Sequence, residues 1–241
     1  MKHIIYIIII CFSVNVQSQS FTIDLMGGVG YTILSNNNHP SAFNELTNVN
    51  TISACTGISA MDSLTRSIAL NIGVIYAAHN QQYTGEISYT YIFNSEIKMR
   101  YLDFPLLLHF HDADGIYLEI GPQVSYLLSA KEDANINNIQ EELNKDFASD
   151  FNQFSLMGVI GFGMSKKISH YSSFNLGLRY GYGLTDAINN DNSNATSINH
   201  SLPYAIGSGG NGYYNPYSSS SAYATTRRIF IMLFGSLNIG F

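Results

Sequence analysis

Asp24, Asp103, Glu119 and Arg179 fall on the polar face of alternating runs, and Asn71 and Gln123 occupy equivalent positions. Gathered in one narrow interior they could relay protons or ions, or they could simply neutralise one another. A buried charge is unfavourable unless it is paired. Arg179 is therefore expected to meet Glu119, with Asp103 or Asp24 as the other acceptors, in a network that is structural. His109 and His111 lie two apart on one strand face, and Asp103 shares it. A His-x-His pair can ligate a metal when further ligands converge. No Cys or His cluster elsewhere in the sequence answers this pair, so neither a metal nor another cofactor is expected. No Ser/His or Asp/His arrangement supports an enzyme.

The elements that would carry these residues are strands of period two. In Ile116–Leu128 the apolar or lipid-compatible residues are Ile116, Leu118, Ile120, Pro122, Val124, Tyr126 and Leu128, alternating with Tyr117, Glu119, Gly121, Gln123, Ser125 and Leu127. Phe174–Thr185 and Phe21–Ile33 repeat the pattern, placing Asn175 and Arg179, then Asp24 and Thr32, on the polar side. Eight runs of this kind lie near 20–34, 51–61, 67–78, 97–111, 115–129, 153–166, 173–186 and 227–241. Alternation over a dozen residues suits a tilted strand that crosses a bilayer. The expected fold is all-β: an eight-stranded antiparallel up-and-down transmembrane β-barrel with short periplasmic turns and long extracellular loops. Short connections fall at 62–66, 112–114 and 167–172, and long polar ones at 35–50, 79–96, 130–152 and 187–226. In 130–152, Ile136, Ile139, Leu143 and Phe147 stand at helical spacing, which predicts a short amphipathic helix over the barrel mouth. Loop 187–226 is rich in Asn, Ser, Gly and Tyr, as adaptable binding surfaces are.

Aromatic residues give an independent check. Phe21, Phe110, Phe174 and Phe241 fall at one set of strand ends, and Tyr31, Tyr76, Tyr126, Phe154 and Tyr182 at the other. From Phe21 to Tyr31 is ten steps, about 23 Å of height at 3.3 Å rise and 45° tilt, close to the roughly 25 Å lipid band. An eight-stranded barrel has an interior just wide enough for side chains. Phe230, Phe234, Leu107 and Ile75 would plug it, which argues against a diffusion pore.

Composition agrees with a membrane address. Of 241 residues only 12% are charged, about half the share usual in a soluble domain. The net charge of −6 leaves no basic footprint, so no nucleic-acid partner is expected. Lys2 and His3, the apolar run Ile4–Phe12, and Val16 and Ser18 at a small-residue cleavage site predict a signal peptide over 1–18, leaving 19–241 as the barrel. Ile10 stands where lipidation at Cys11 would need a small residue. Cys55 is then the one remaining cysteine, so no intramolecular disulfide forms.

Three segments resemble the PorT-like outer-membrane β-barrel family of Bacteroidota: Tyr101–Leu108 (YLDFPLLL), Ile116–Leu128 (IYLEIGPQVSYLL) and Leu176–Thr185 (LGLRYGYGLT), followed by the closing strand to Phe241. Strands one to three match in pattern rather than motif. The resemblance implies an eight-stranded barrel in the cell outer membrane and no single activity.

The function expected is that of a structural or interaction protein acting through extracellular loops. The alternative is a membrane anchor for a transport or secretion assembly. Expected partners are outer-membrane lipid and lipopolysaccharide, the barrel-insertion machinery reading Phe241 as an insertion signal, and a protein or glycan at the long loops.

Overall fold

The computed structural model describes residues 21–35, 43–49, 51–87, 91–136, 139–146, 148–189 and 226–240. The expected signal peptide, most of loop 187–226 and Phe241 lie outside the described residues. The strands are β1 (Phe21–Ser35), β2 (Phe43–Val49), β3 (Ile52–Ser63), β4 (Ile68–Ile87), β5 (Tyr91–His111), β6 (Ile116–Ile136), β7 (Ile139–Asp146), β8 (Phe154–Lys167), β9 (Ser172–Gly183) and β10 (Arg227–Gly240). Eight of them, β1, β3, β4, β5, β6, β8, β9 and β10, form a ring of antiparallel neighbours. The ring closes between β1 and β10, in register from Thr22 opposite Gly240 to Ser35 opposite Arg227.

At one end three short turns join the strands. In the β5–β6 turn, Asp112 Oδ1 accepts the backbone N–H groups of Asp114 and Ile116, and Gly115 takes a φ of 87°, a conformation that favours glycine. Thr65 Oγ1 plays a similar part between β3 and β4, accepting from the N–H groups of Ser67 and Ile68. Short turns mark the periplasmic side of an outer-membrane barrel.

The alternation resolves into two faces. Leu118 is 45% exposed and its neighbour Glu119 is 1% exposed. Leu25, Val29, Ile58, Ile72, Val124, Leu176 and Leu233 point out with Leu118, while Asp24, Asn71, Gln123, Asn175 and Phe234 point in with Glu119. A barrel in water would bury the first set, and here the wall presents it to lipid.

The far end differs from the expected loops. β4 and β5 stay paired as far as Ile87 opposite Tyr91, and β6 continues alongside β5 to Ile136. Twenty residues of β4 reach about 45 Å of height at the usual rise and tilt, against a band of roughly 25 Å. Above Tyr76 the outward residues of β4 become Asn80, Gln82 and Thr84, and those of β5 above Leu102 become Arg100, Lys98 and Glu96. The sheet therefore leaves the lipid and continues into water. β2 adds to the upper part of β4 and β7 to the upper part of β6, giving the order β2–β4–β5–β6–β7 above the bilayer.

The helix expected over 130–152 is accordingly corrected: the described residues there form the top of β6, β7 and one 3₁₀ turn at Ala148–Asp150. A register shift explains the misreading. Tyr101 faces Leu127 but Arg100 faces Ser129, so β6 carries one extra residue at this point. Below it the odd residues of β6 face inward, and above it Ala130, Glu132 and Ala134 do. A β-bulge resets the parity, and period-two reading stops there.

Candidate functional site

Chemistry-bearing side chains collect in the lumen, where the ring points every second residue inward. Three levels can be distinguished from the periplasmic end upward. At the lowest, Asn175 donates to Asn238 Oδ1 at 2.7 Å, and Ser59 donates to Asp24 Oδ2 at 3.3 Å. Asp24 thus lies in the lumen with a hydroxyl partner. His109 stacks on Tyr117 with ring centroids 4.6 Å apart. Its ring is 5.9 Å from that of His111, and the carboxylate of Asp103 is engaged elsewhere. His109 is thus a stacking group with His111 tilted beside it, and among the described residues no three His, Cys, Asp or Glu side chains converge as metal ligands.

At mid-height Arg179 and Glu119 meet as a bidentate pair. Nε donates to Oε1, and Nη2 donates to Oε2 at 3.0 Å. Both side chains are buried. The guanidinium lies 4.3 Å from the Phe234 ring centroid, so a ring face and a fork-shaped carboxylate contact enclose the cation. Gly161 makes room for this pair, because a Cβ there would collide with the Glu119 carboxylate.

A third level has a centre that sequence reasoning missed. Arg228 Nη2 lies 3.6 Å from Asp103 Oδ1 and donates to Ser125 Oγ at 2.5 Å, and its guanidinium stands 3.9 Å over the Tyr101 ring. Beside it, Ser53 Oγ donates to Thr32 Oγ1 at 3.0 Å, and Thr32 Oγ1 is 2.6 Å from His79 Nδ1. With the Thr32 proton directed to Nδ1, the imidazole proton sits on Nε2, which faces Asp103 Oδ2 at 3.9 Å. Hydroxyl, imidazole and carboxylate stand in the order of a nucleophilic relay, but Nε2 is too far from Asp103 for a hydrogen bond, so the third link is unmade. His79 is 1% exposed, and the adjoining cavity measures about 20 Å³. That admits one water and no acyl substrate. The signals were present in the sequence: Arg228 shares parity with Phe230 and Phe234, and His79 with Ile75.

So the structure joins Arg179 to Glu119, and separates Asp103, with Arg228 and His79, from Asp24, with Ser59. Above these levels Leu34, Tyr83, Met99, Tyr101, Leu127, Phe151 and Ile188 form an apolar cluster that closes the bore.

On the outward side of the protruding sheet, Lys98 is bonded to Asp133 and lies 3.5 Å from Glu96. This hydrogen bond holds the Asp133 carboxyl below its ordinary range, and the same bond raises the Lys98 ammonium.

Residues 17–189 match the family described as "Outer membrane protein beta-barrel domain", and the chain belongs to that family. Similar solved structures include Neisserial surface protein A (10% identity, TM-score 0.38, 93% of this chain and 100% of that one). OprG from Pseudomonas aeruginosa is also similar (11%, 0.37, 93% and 97%), as is Ail of Yersinia pestis (8%, 0.31, 93% and 100%). No curated protein matches the chain. Family membership places the protein in the outer membrane.

Proposed function

We propose that this member of the outer-membrane β-barrel family is a surface interaction protein: the barrel anchors it, and the sheet β2–β4–β5–β6–β7 offers a protein or glycan partner its contact surface. The observation that carries the reading is the sheet standing clear of the lipid band with two terminal strands. Among the described residues, β2 pairs only with β4 and β7 only with β6. An unpaired strand edge is a template for a partner's extended segment. β7 carries Glu141, Glu142, Lys145 and Asp146, charges that discourage pairing, whereas β2 carries only Glu45. The β2 edge is the better docking strand. The filled lumen argues for display rather than conduction.

Kinship with the PorT-like barrels of Bacteroidota belongs to the same reading, supported by the three resembling segments. So do export by residues 1–18, insertion by the barrel machinery through Phe241, and contact of the wall with lipid and lipopolysaccharide. The test is capture of partners from intact cells by the full chain and by a variant lacking Gln82–Glu96, rejoined by an Asn-Gly turn. Loss of capture with unchanged outer-membrane recovery is expected. Equal capture by both would overturn the role of the sheet. Retention of one periplasmic complex by both would instead establish the anchor of a transport or secretion assembly.

A further inference from the structure

The lipid-facing wall is dented where β1, β3, β4 and β5 run side by side. Between Ile72 opposite Leu106 and Ile75 opposite Asp103, β4 and β5 share no registered pairs. Pro105 occupies that gap with no N–H to give. Gly73 faces it from β4, and because both residues have inward parity and are buried, neither adds an outward side chain to the wall. On β3 the outward residue opposite Ile72 is only Ala60. The outcome is a groove of about 430 Å³, floored by Gly73, Pro105 and Ala60 and flanked by Phe21, Ile58 and Phe104.

Its height and size limit its occupant. Phe21 belongs to the periplasmic aromatic ring, and Ala60 sits opposite Ile23, two residues above it. The groove therefore lies in the periplasmic half of the lipid band. Its volume, about twenty times that of the one-water space beside His79, suits a segment of an acyl chain. The turn joining β3 and β4 at the rim carries the exposed Arg66, at the level where a lipid phosphate lies. We propose that this groove is a binding site for one glycerophospholipid of the periplasmic leaflet, with an acyl chain over Ala60, between Ile58 and Phe104, and the phosphate at Arg66. The site is independent of the surface role above.

The chain contains no Trp, so F104W in the groove and F162W on the opposite wall each supply a single fluorophore. Both refold into phosphatidylcholine vesicles holding a minor fraction of brominated-chain phosphatidylglycerol, and heat-modifiable gel migration identifies the folded fraction. Quenching in F104W should exceed that in F162W by about threefold, the mark of a site several-fold tighter than random lipid contact. Adding A60F to fill the groove, or R66E to repel the phosphate, should bring F104W down to the F162W level. Equal quenching in the two single variants overturns the site, as does excess quenching that survives both A60F and R66E. Shielding of F104W together with a cross-linked dimer would assign the groove to a second copy of the chain and also overturn it.

Discussion

The membrane wall and the sheet above it are made of the same strands but solve different problems. In β4, β5 and β6 inward side chains are buried from Asn71 and Leu107 near the periplasm to Tyr83 and Ser95 beyond the bilayer. The outward residues change character at the upper aromatic ring, from Ile72, Val74 and Tyr76 to Asn80, Gln82 and Thr84. Inside there is no such switch: ion pairs lie within the lipid band, and above them an apolar cluster packs beside the buried Ser95–Glu132 hydrogen bond. The outer face of a strand reports its solvent, and the inner face reports what the closed ring has to fill.

The largest test of that contrast lies in the lumen. Arg179→Met leaves Glu119 buried without its cation, and loss of one partner of such a pair costs about 3–5 kcal/mol. Urea unfolding in detergent should show it, and an unchanged midpoint would mean that water already solvates the pair. Arg228→Met should follow it closely, since buried Asp103 would lose its cationic partner. Next comes the wall: Ile120→Arg, near the bilayer midplane, should cost about 2–4 kcal/mol. Gln82→Arg, on the same outward parity above the lipid, should stay within about 0.5 kcal/mol. Equal penalties at the two positions would erase the boundary drawn here.

The smallest effect is expected at Lys98 and Asp133. Both side chains are partly exposed, and exposed pairs are worth only about 0.2–1 kcal/mol. Lys98→Met should lose that much, and less in high salt. The Asp133 value is lowered in the folded state, so its contribution is present above the ordinary carboxylate value. It disappears as pH falls through the lowered one. The raised Lys98 value makes its contribution complete below the ordinary ammonium value and lost as pH rises through the higher one. Stability differences between the chain and Lys98→Met across pH measure both limbs.

These contrasts also explain what could be read from the sequence. Alternation was plain wherever one face met lipid, as in Ile116–Leu128, and it oriented Glu119 and Arg179 correctly. It fades where both faces become polar, as at Asn80–Thr84 and Asn94–Lys98, so these strand segments read as loop. At Leu128–Ser129 a bulge shifted the parity, and the apolar residues beyond it fell by coincidence into helical spacing. The third lumen level is hidden for the same reason, because His79 falls in a stretch that reads as loop. Arg228 stands at the upper end of the closing strand, where the apolar inward residues below it dominate the pattern. Pairing across the ring, such as Arg228 with Asp103, is set by closure, which local pattern does not encode.

The packed interior has a consequence for the envelope as a whole. A hollow cylinder dissipates gradients in proportion to its copy number, but this one holds space for a single water beside the Asp103 and Arg179 centres and is stoppered by Tyr83, Met99 and Phe151. On this packing each added copy adds wall and no further bore, so abundance would be limited by membrane area and not by leakage.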